Sequence, residues 1–353
     1  MSTKTGLMVV SLALSIVIGV VISKTGANAG ESVHAGGGPL VIGLSLDTLK
    51  EARWQEDSKL FQARCAELGA KVLVQAANSD DTRQINDCQS LLTSKVDVLV
   101  IVSHDSDAMA KAVEMAHKEN TPVIAYDRII NNSDLDIYLS FDNVKVGRLQ
   151  AQWLMDHLPT PGKGRIVRIY GSKTDHNAVL FKQGQDEVLK PYIDRGDVKV
   201  VWEDWADDWR VDNAKRIVNA AITNGGKGKI DGILASNDGT ASGAIQCLSE
   251  NGLAGKVLVT GQDADLVACQ SIVNGTQSMT VYKPLKKLAT LAAEVAVKMA
   301  GRKVVVAPQT VNNGKLDVPS ILGEIVAVDK SNMMQTVVAD GLHTKEEIYG
   351  AGK

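Results

Sequence analysis

A chain of 353 residues exceeds what one core usually supports, so two domains is the starting expectation. Apolar residues at 44% and charged residues at 22% exclude a disordered chain, and a formal net charge of −3 without any Arg/Lys stripe excludes a partner recognised through its phosphates, nucleic acid above all. Cys65, Cys88, Cys247 and Cys269 show neither CxxC nor Cys/His spacing, which indicates no zinc site and no thioredoxin-like redox motif.

Lys4 precedes an apolar run from Gly6 to about Ser23, and Ala27-Asn28-Ala29 supplies a small-residue cleavage pattern, so residues 1–29 read as a signal peptide and the chain as exported. The run is longer than a usual signal core, which leaves an uncleaved membrane anchor as the rival reading. Residues 30–38, glycine-rich at their end, read as a flexible leader.

Beyond the leader, β-type runs alternate with amphipathic helical patterns. Strands are expected at Val41–Leu46, Lys71–Ala76, Val96–Val102 and Pro122–Tyr126, with helices at Glu51–Leu68, Asp81–Ser94 and Asp107–Glu119 between them. The pattern restarts with strands at Arg165–Tyr170, Val198–Glu203, Gly232–Ser236, Val257–Gly261 and Ser278–Tyr282. The helices between these are expected at Asn177–Asp194, Asp212–Asn224, Thr240–Asn251 and Asp265–Asn274. Single helices between strands mean parallel pairing, so the predicted fold is α/β: two similar doubly wound parallel-sheet lobes joined by a hinge. A helix at Leu285–Ala300 and an irregular segment from Arg302 onward fit a chain that crosses back between the lobes. With helices after adjacent strands sharing a face, Cys247 and Cys269 could meet, whereas Cys65 and Cys88 are expected on opposite faces of their sheet.

In open α/β sheets ligands bind beyond the carboxyl ends of the strands. Polar residues gather there: Asp127-Arg128 after Tyr126, Asn237-Asp238 after Ser236, Gln262-Asp263 after Gly261, Lys283 after Tyr282, and Asp175-His176-Asn177 in the second unit. Asp81, Asp107, Asp238 and Asp265 read as helix caps. Arg128, Asp263 and Lys283 read as ligand contacts, because a charge ending a buried strand needs a partner. Arg, Asp, Asn and Lys with Trp and no His cluster is the chemistry of an uncharged polyol: hydroxyls donate to carboxylate and amide oxygens and accept from cations, while apolar C–H faces suit an aromatic wall. Trp54 and Trp209, one in each unit, are the candidate walls; Trp153, Trp202 and Trp205 read as packing residues. Asp134 reads as a solvated loop acid.

Several runs, among them Glu51-Ala52-Arg53-Trp54-Gln55, Ala125-Tyr126-Asp127-Arg128-Ile129-Ile130, Ser140-Phe141-Asp142-Asn143, Gly261-Gln262-Asp263-Ala264-Asp265 and Met279-Thr280-Val281-Tyr282-Lys283-Pro284, resemble the D-xylose-binding proteins of bacterial ABC importers. The resemblance extends from the first strand to about Gly341. It implies a type I periplasmic binding fold whose two lobes, joined by three crossing segments, close on one sugar. Arg53, Arg128, Asn177, Asn237, Asp263 and Lys283 become hydrogen-bonding ligands and Trp54 and Trp209 stacking walls; Asp175 is a weaker member, and His176 departs from the family's amide. The expected N-terminal lobe is 39–143 with 284–313, the C-terminal lobe 144–283 with 314–345, and the tail 346–353. A periplasmic monomer delivering its monosaccharide to a separate permease and ATPase is implied, with no cofactor and no metal. Asp127 and Asp263 do not make a hydrolase pair, because Arg128 and Lys283 beside them would keep both ionised. Other monosaccharides, namely ribose, arabinose, galactose or glucose, are the competing ligands. A sugar-sensing effector domain shares the fold, but the export segment stands where its helix-turn-helix would be.

Overall fold

The computed structural model describes residues 20–21, 38–225 and 230–350, and two sheets of mainly parallel strands organise them. The first sheet has the strand order Gln309–Asn312, Asp317–Gly323, Ile137–Phe141, Val123–Tyr126, Val98–Val102, Val41–Leu46, Lys71–Ala76, parallel except for the 309–312/317–323 hairpin. The second runs Leu258–Val259, Gly232–Ala235, Gly164–Tyr170, Val198–Trp205, all parallel. The predicted signal peptide and leader lie, apart from Val20, Val21 and Gly38, outside the described residues.

Helices cover both faces of each sheet, which is why the central strands are apolar at every position rather than at alternate ones. Along Val98–Val102, Val98, Val100 and Val102 pack with Phe61 and Cys65 of α1 (Ala52–Glu67), while Leu99 and Ile101 turn to Cys88 and Leu91 of α2 (Asp81–Thr93) and Ala112 and Ala116 of α3 (Ala110–Lys118). In the second sheet Val167 and Ile169 face α6 (Val211–Gly225) and α7 (Asp238–Glu250). Ile166 faces α4 (Asn143–His157) and α5 (His176–Asp194).

The chain passes between the lobes three times. Ile137–Phe141 belongs to the first sheet, yet α4 after it packs on α5; Met279–Tyr282 leads into α9 (Leu285–Ala300), which packs on α1; and Asp317–Gly323 in the first sheet leads to Val326–Asp329, which pairs antiparallel with Met279–Tyr282. The expected change of lobe at residue 314 therefore moves to the turn after Gly323, because Asp317–Gly323 pairs with Ile137–Phe141. The expected tail from 346 begins inside α10 (Lys345–Tyr349), whose Thr344/Glu347 capping box and buried Ile348 fasten it against α8 (Leu266–Asn274).

Ile137–Phe141 and α4 have no counterpart among the expected elements. The buried side of α4 carries Gly147 and Gln150 between Val146, Ala151, Leu154 and Met155, so its apolar stripe is broken in sequence. Gly147 is there for close approach: a Cβ on it would lie 2.0 Å from the Phe181 carbonyl oxygen, and one on Gly184 would lie 1.9 Å from that of Val144. The two helices thus touch backbone to backbone through reciprocal glycines.

All four cysteines are buried and free, each in a different core cluster, so Cys247 and Cys269 do not meet. Cys65 and Cys88 lie on opposite faces of the first sheet. Thiol titration with an aromatic disulfide reagent is expected to find almost no reaction in the native protein and four equivalents after unfolding; fewer after unfolding would mean a bond. Gly184→Ala must push α4 from α5, and overpacking of this kind costs about 1–3 kcal/mol. It is expected to lower the urea midpoint with little change in the slope of the transition.

Candidate functional site

The loops following the strand ends of both sheets meet around a cavity holding ≈ 450 Å³ of space not occupied by protein atoms. Every residue predicted for the site lines it: Arg53, Trp54, Arg128, Asp175, Asn177, Trp209, Asn237, Asp263 and Lys283. Glu51, Asp127, Phe181, Gln262 and Asp265 line it as well. Phe181, one turn into α5, carried no signal in the sequence because a single aromatic on an amphipathic helix reads as core.

Arg53, buried on the first turn of α1, is the centre of the charge network. Its guanidinium donates to Asp127, to Asp57 Oδ2 at 3.1 Å and to Asp263 Oδ1 at 3.2 Å, the last across the cleft. Arg128 donates to Asp47 Oδ2 at 2.7 Å and to the Ser103 carbonyl at 3.0 Å, and pairs across the cleft with Asp175 Oδ2 at 2.8 Å. Lys283, fully buried, pairs with Asp263 Oδ1 at 2.7 Å. Burial pushes the Asp127 carboxyl up, but Arg53, Lys283 and Arg128 outweigh it and hold Asp127 below the ordinary carboxylate range. For Asp175 burial wins over Arg128, and its carboxyl is raised.

The backbone is bent to aim these groups. Asp127 (φ 63°), Trp209 (φ 56°) and Asp263 (φ 99°) all adopt the left-handed region that costs a non-glycine residue about 1–3 kcal/mol, a cost held by the surrounding bonds. The Asp127 carbonyl, for instance, accepts from Tyr138 Oη at 3.0 Å, Ser140 Oγ at 2.6 Å and Asn177 Nδ2 at 3.1 Å. The Trp209 ring rests over Gly171, where a Cβ would come within 2.0 Å of Cη2, meets Phe181 edge-on at 6.3 Å, and donates from Nε1 to Asp175 Oδ2 at 3.2 Å. Trp54 is seated by the two guanidinium groups, 4.4 Å and 5.1 Å from its centroid.

Several local roles differ from those expected. Asp80, not Asp81, caps α2; Asp105 accepts the Asp107 and Ala108 N–H groups; Asn237 with Thr240 forms the capping box of α7. Asp238 is instead buried as an acceptor for Gln277, Thr280 and the Asp265 N–H, and Asp265 at the head of α8 makes no side-chain cap. The neighbour of a cap fits the same sequence pattern, and only the fold decides which oxygen reaches the free N–H. Asn237 Oδ1 is occupied by Thr240, so toward the cavity it offers its Nδ2 donors. Asp175 has both oxygens engaged, by Asn177 N–H, Arg128 and Trp209, and so positions those groups. His176 begins α5 half-buried, its N–H donating to Ser106 Oγ across the cleft at 3.1 Å. Trp153, Trp202 and Trp205 pack away from the cavity, and Asp134 pairs with Lys315 on the surface at 2.8 Å.

A cleft between two parallel-sheet lobes, crossed three times by the chain, is matched by the sequence profile of the periplasmic binding protein domain over residues 42–303. The chain belongs to that family. Among members of this family of binding proteins, the chain is 48% identical over 310 residues to the D-xylose-binding periplasmic protein of Haemophilus influenzae, covering 88% of this chain and 92% of that one. It is 46% identical over 307 residues to the protein of the same name from Escherichia coli, covering 87% and 92%. Among solved structures, the carbohydrate transporter solute binding protein from Chloroflexus aurantiacus, in complex with D-glucose, superposes with a TM-score of 0.82 at 30% identity, covering 88% of this chain and 98% of that one.

Arg53→Met strands the carboxylates of Asp57, Asp127 and Asp263 in a buried site, and breaking a buried pair on one side costs about 3–5 kcal/mol. Asp127 is held below its ordinary value in the folded protein, so its stabilising share is fully present above that ordinary value and is lost as pH falls on through the lower, folded one. The difference in unfolding free energy between wild type and variant is therefore expected to stay large from neutral pH down to about 4 and to shrink below that, as read by urea titrations at several pH values.

Proposed function

We propose that the chain is a periplasmic solute-binding protein that captures D-xylose between its lobes and delivers it, as a monomer, to the membrane permease and ATPase of an ABC importer. The observation that carries this reading is the pairing of charges in the cavity. Arg53, Arg128 and Lys283 are each matched by carboxylates, so the site offers donors and acceptors side by side without a net positive field for an anion. An uncharged polyol uses that arrangement fully, since each hydroxyl both donates and accepts. Trp54 and Trp209 supply flat walls for its C–H faces, and the near-half identity to proteins named for D-xylose binding supports the pentose.

Residues from both lobes reach the cavity, so a sugar held there stabilises the closed form over an open one. Tryptophan fluorescence is expected to change on adding xylose, with compaction in small-angle scattering. A hexose is the second reading, favoured by the likeness to the structure solved with D-glucose.

Calorimetry against a panel of pentoses and hexoses tests the reading, with D-xylose expected to bind tightest. Hydrogen bonds to charged groups contribute roughly 1.5–3 kcal/mol, so Arg128→Ala and Asp263→Ala are each expected to weaken xylose binding about 10- to 150-fold. Trp209→Ala is expected to weaken every pyranose that fits, and Asp134→Ala, with its carboxylate on the surface, none. Wild-type affinity in folded Arg128 and Asp263 variants would place the sugar elsewhere.

A further inference from the structure

Two helix heads that border the cavity, one in each lobe, carry carboxylates that do not cap. Glu51 precedes α1 and Asp265 precedes α8, and neither side chain accepts an N–H of its own helix, although that is the usual fate of an acceptor at such a position. Both line the cavity instead. Glu51 Oε2 is buried with no hydrogen-bond partner, and so is Oε1 of Gln262, a residue only 2% exposed that lines the same cavity. Unmatched buried acceptors cost about 1–3 kcal/mol each, so they persist where a donor arrives from outside the chain.

We propose that Glu51, Gln262 and Asp265 form an acceptor-rich subsite, shared between the lobes, in which the unmatched Glu51 Oε2 and Gln262 Oε1 recognise one hydroxyl donor of the ligand and so add to the selectivity of closure. The inference rests on the sugar-binding reading above and goes beyond it by separating this corner from the Arg and Lys pairs. Those cations can donate to a ring or hydroxyl oxygen; Glu51 Oε2 and Gln262 Oε1 are satisfied only by a hydrogen. Burial and the charges of Asp263 and Glu51 raise the Asp265 carboxyl to about 7, against the opposing pull of Arg53 and Lys283. Near neutral pH Asp265 therefore takes up a proton readily, and the acceptors left unmatched are Glu51 Oε2 and Gln262 Oε1. Because Glu51 lies on the first lobe and the other two on the second, the ligand hydroxyl joins the lobes only when they are closed.

The test is calorimetry of wild type, Gln262→Met and Glu51→Met with D-xylose and its four monodeoxy analogues. Wild type is expected to bind one analogue about tenfold more weakly than xylose because the corner is then left unmatched. Gln262→Met is expected to lose about tenfold for xylose and nothing further for that same analogue, while the other analogues fall in parallel. Glu51→Met removes no cap, so α1 should stay folded and the same pattern is readable if the Gln262 variant is unstable. Equal losses for all the sugars, or no loss in either variant, would overturn the inference while leaving the sugar-binding reading intact. A wild type that binds none of the pentoses and hexoses would overturn both.

Discussion

The buried guanidinium of Arg53 is the interaction on which the site depends. It holds Asp57 on its own helix, Asp127 at the end of Val123–Tyr126 and Asp263 on the other lobe, so one side chain ties the inner layers of both lobes together. Arg128 repeats the arrangement with Asp47 and Asp175. Burying these charges is costly, and such pairs seldom add stability over an apolar core. What they supply here is geometry: donors and acceptors fixed on opposite sides of one small volume.

That geometry demands backbone distortion, and the distortion falls on the residues that line the cavity. Left-handed φ at Asp127, Trp209 and Asp263 turns each side chain away from the direction a regular strand end would give it. Asp175 shows how the cost is shared. Its carboxylate caps α5, pairs with Arg128 and holds the Trp209 indole, so local helix stability and site geometry rest on the same two oxygens. The reciprocal glycines of α4 and α5 act at longer range, because the contact they permit brings Phe181 against Trp209.

The three crossings between the lobes explain why the cleft has contributions from so many separated segments. Each crossing leaves one sheet and enters the other lobe close to the cavity: Asn143 donates to Asn177 after the first, and Lys283 meets Asp263 at the second. The crossings and the lining of the cavity are thereby joined through the same short stretches of chain.

The sequence by itself determined the class of fold and the chemistry of the site. Apolar runs such as Val98–Val102, too short for helices and uninterrupted by polar residues, state a strand covered on both faces, and charges such as Arg128 and Lys283 directly after such runs state that something meets them there. Where a residue's surroundings lie near it in the chain, or where burial of a charge forces a partner, the linear pattern is enough. It was not enough for α4, whose buried glycine and glutamine make sense only against the backbone of α5, nor for Asp317–Gly323, whose pairing with Ile137–Phe141 settles where the chain changes lobe. Nor could it separate Asp238 from Asn237 as the cap of α7, or show that Glu51 and Asp265 leave their helices and face a common cavity. These are decided by contacts between residues far apart in sequence, and neither periodicity nor residue type encodes which distant atom stands within 3 Å.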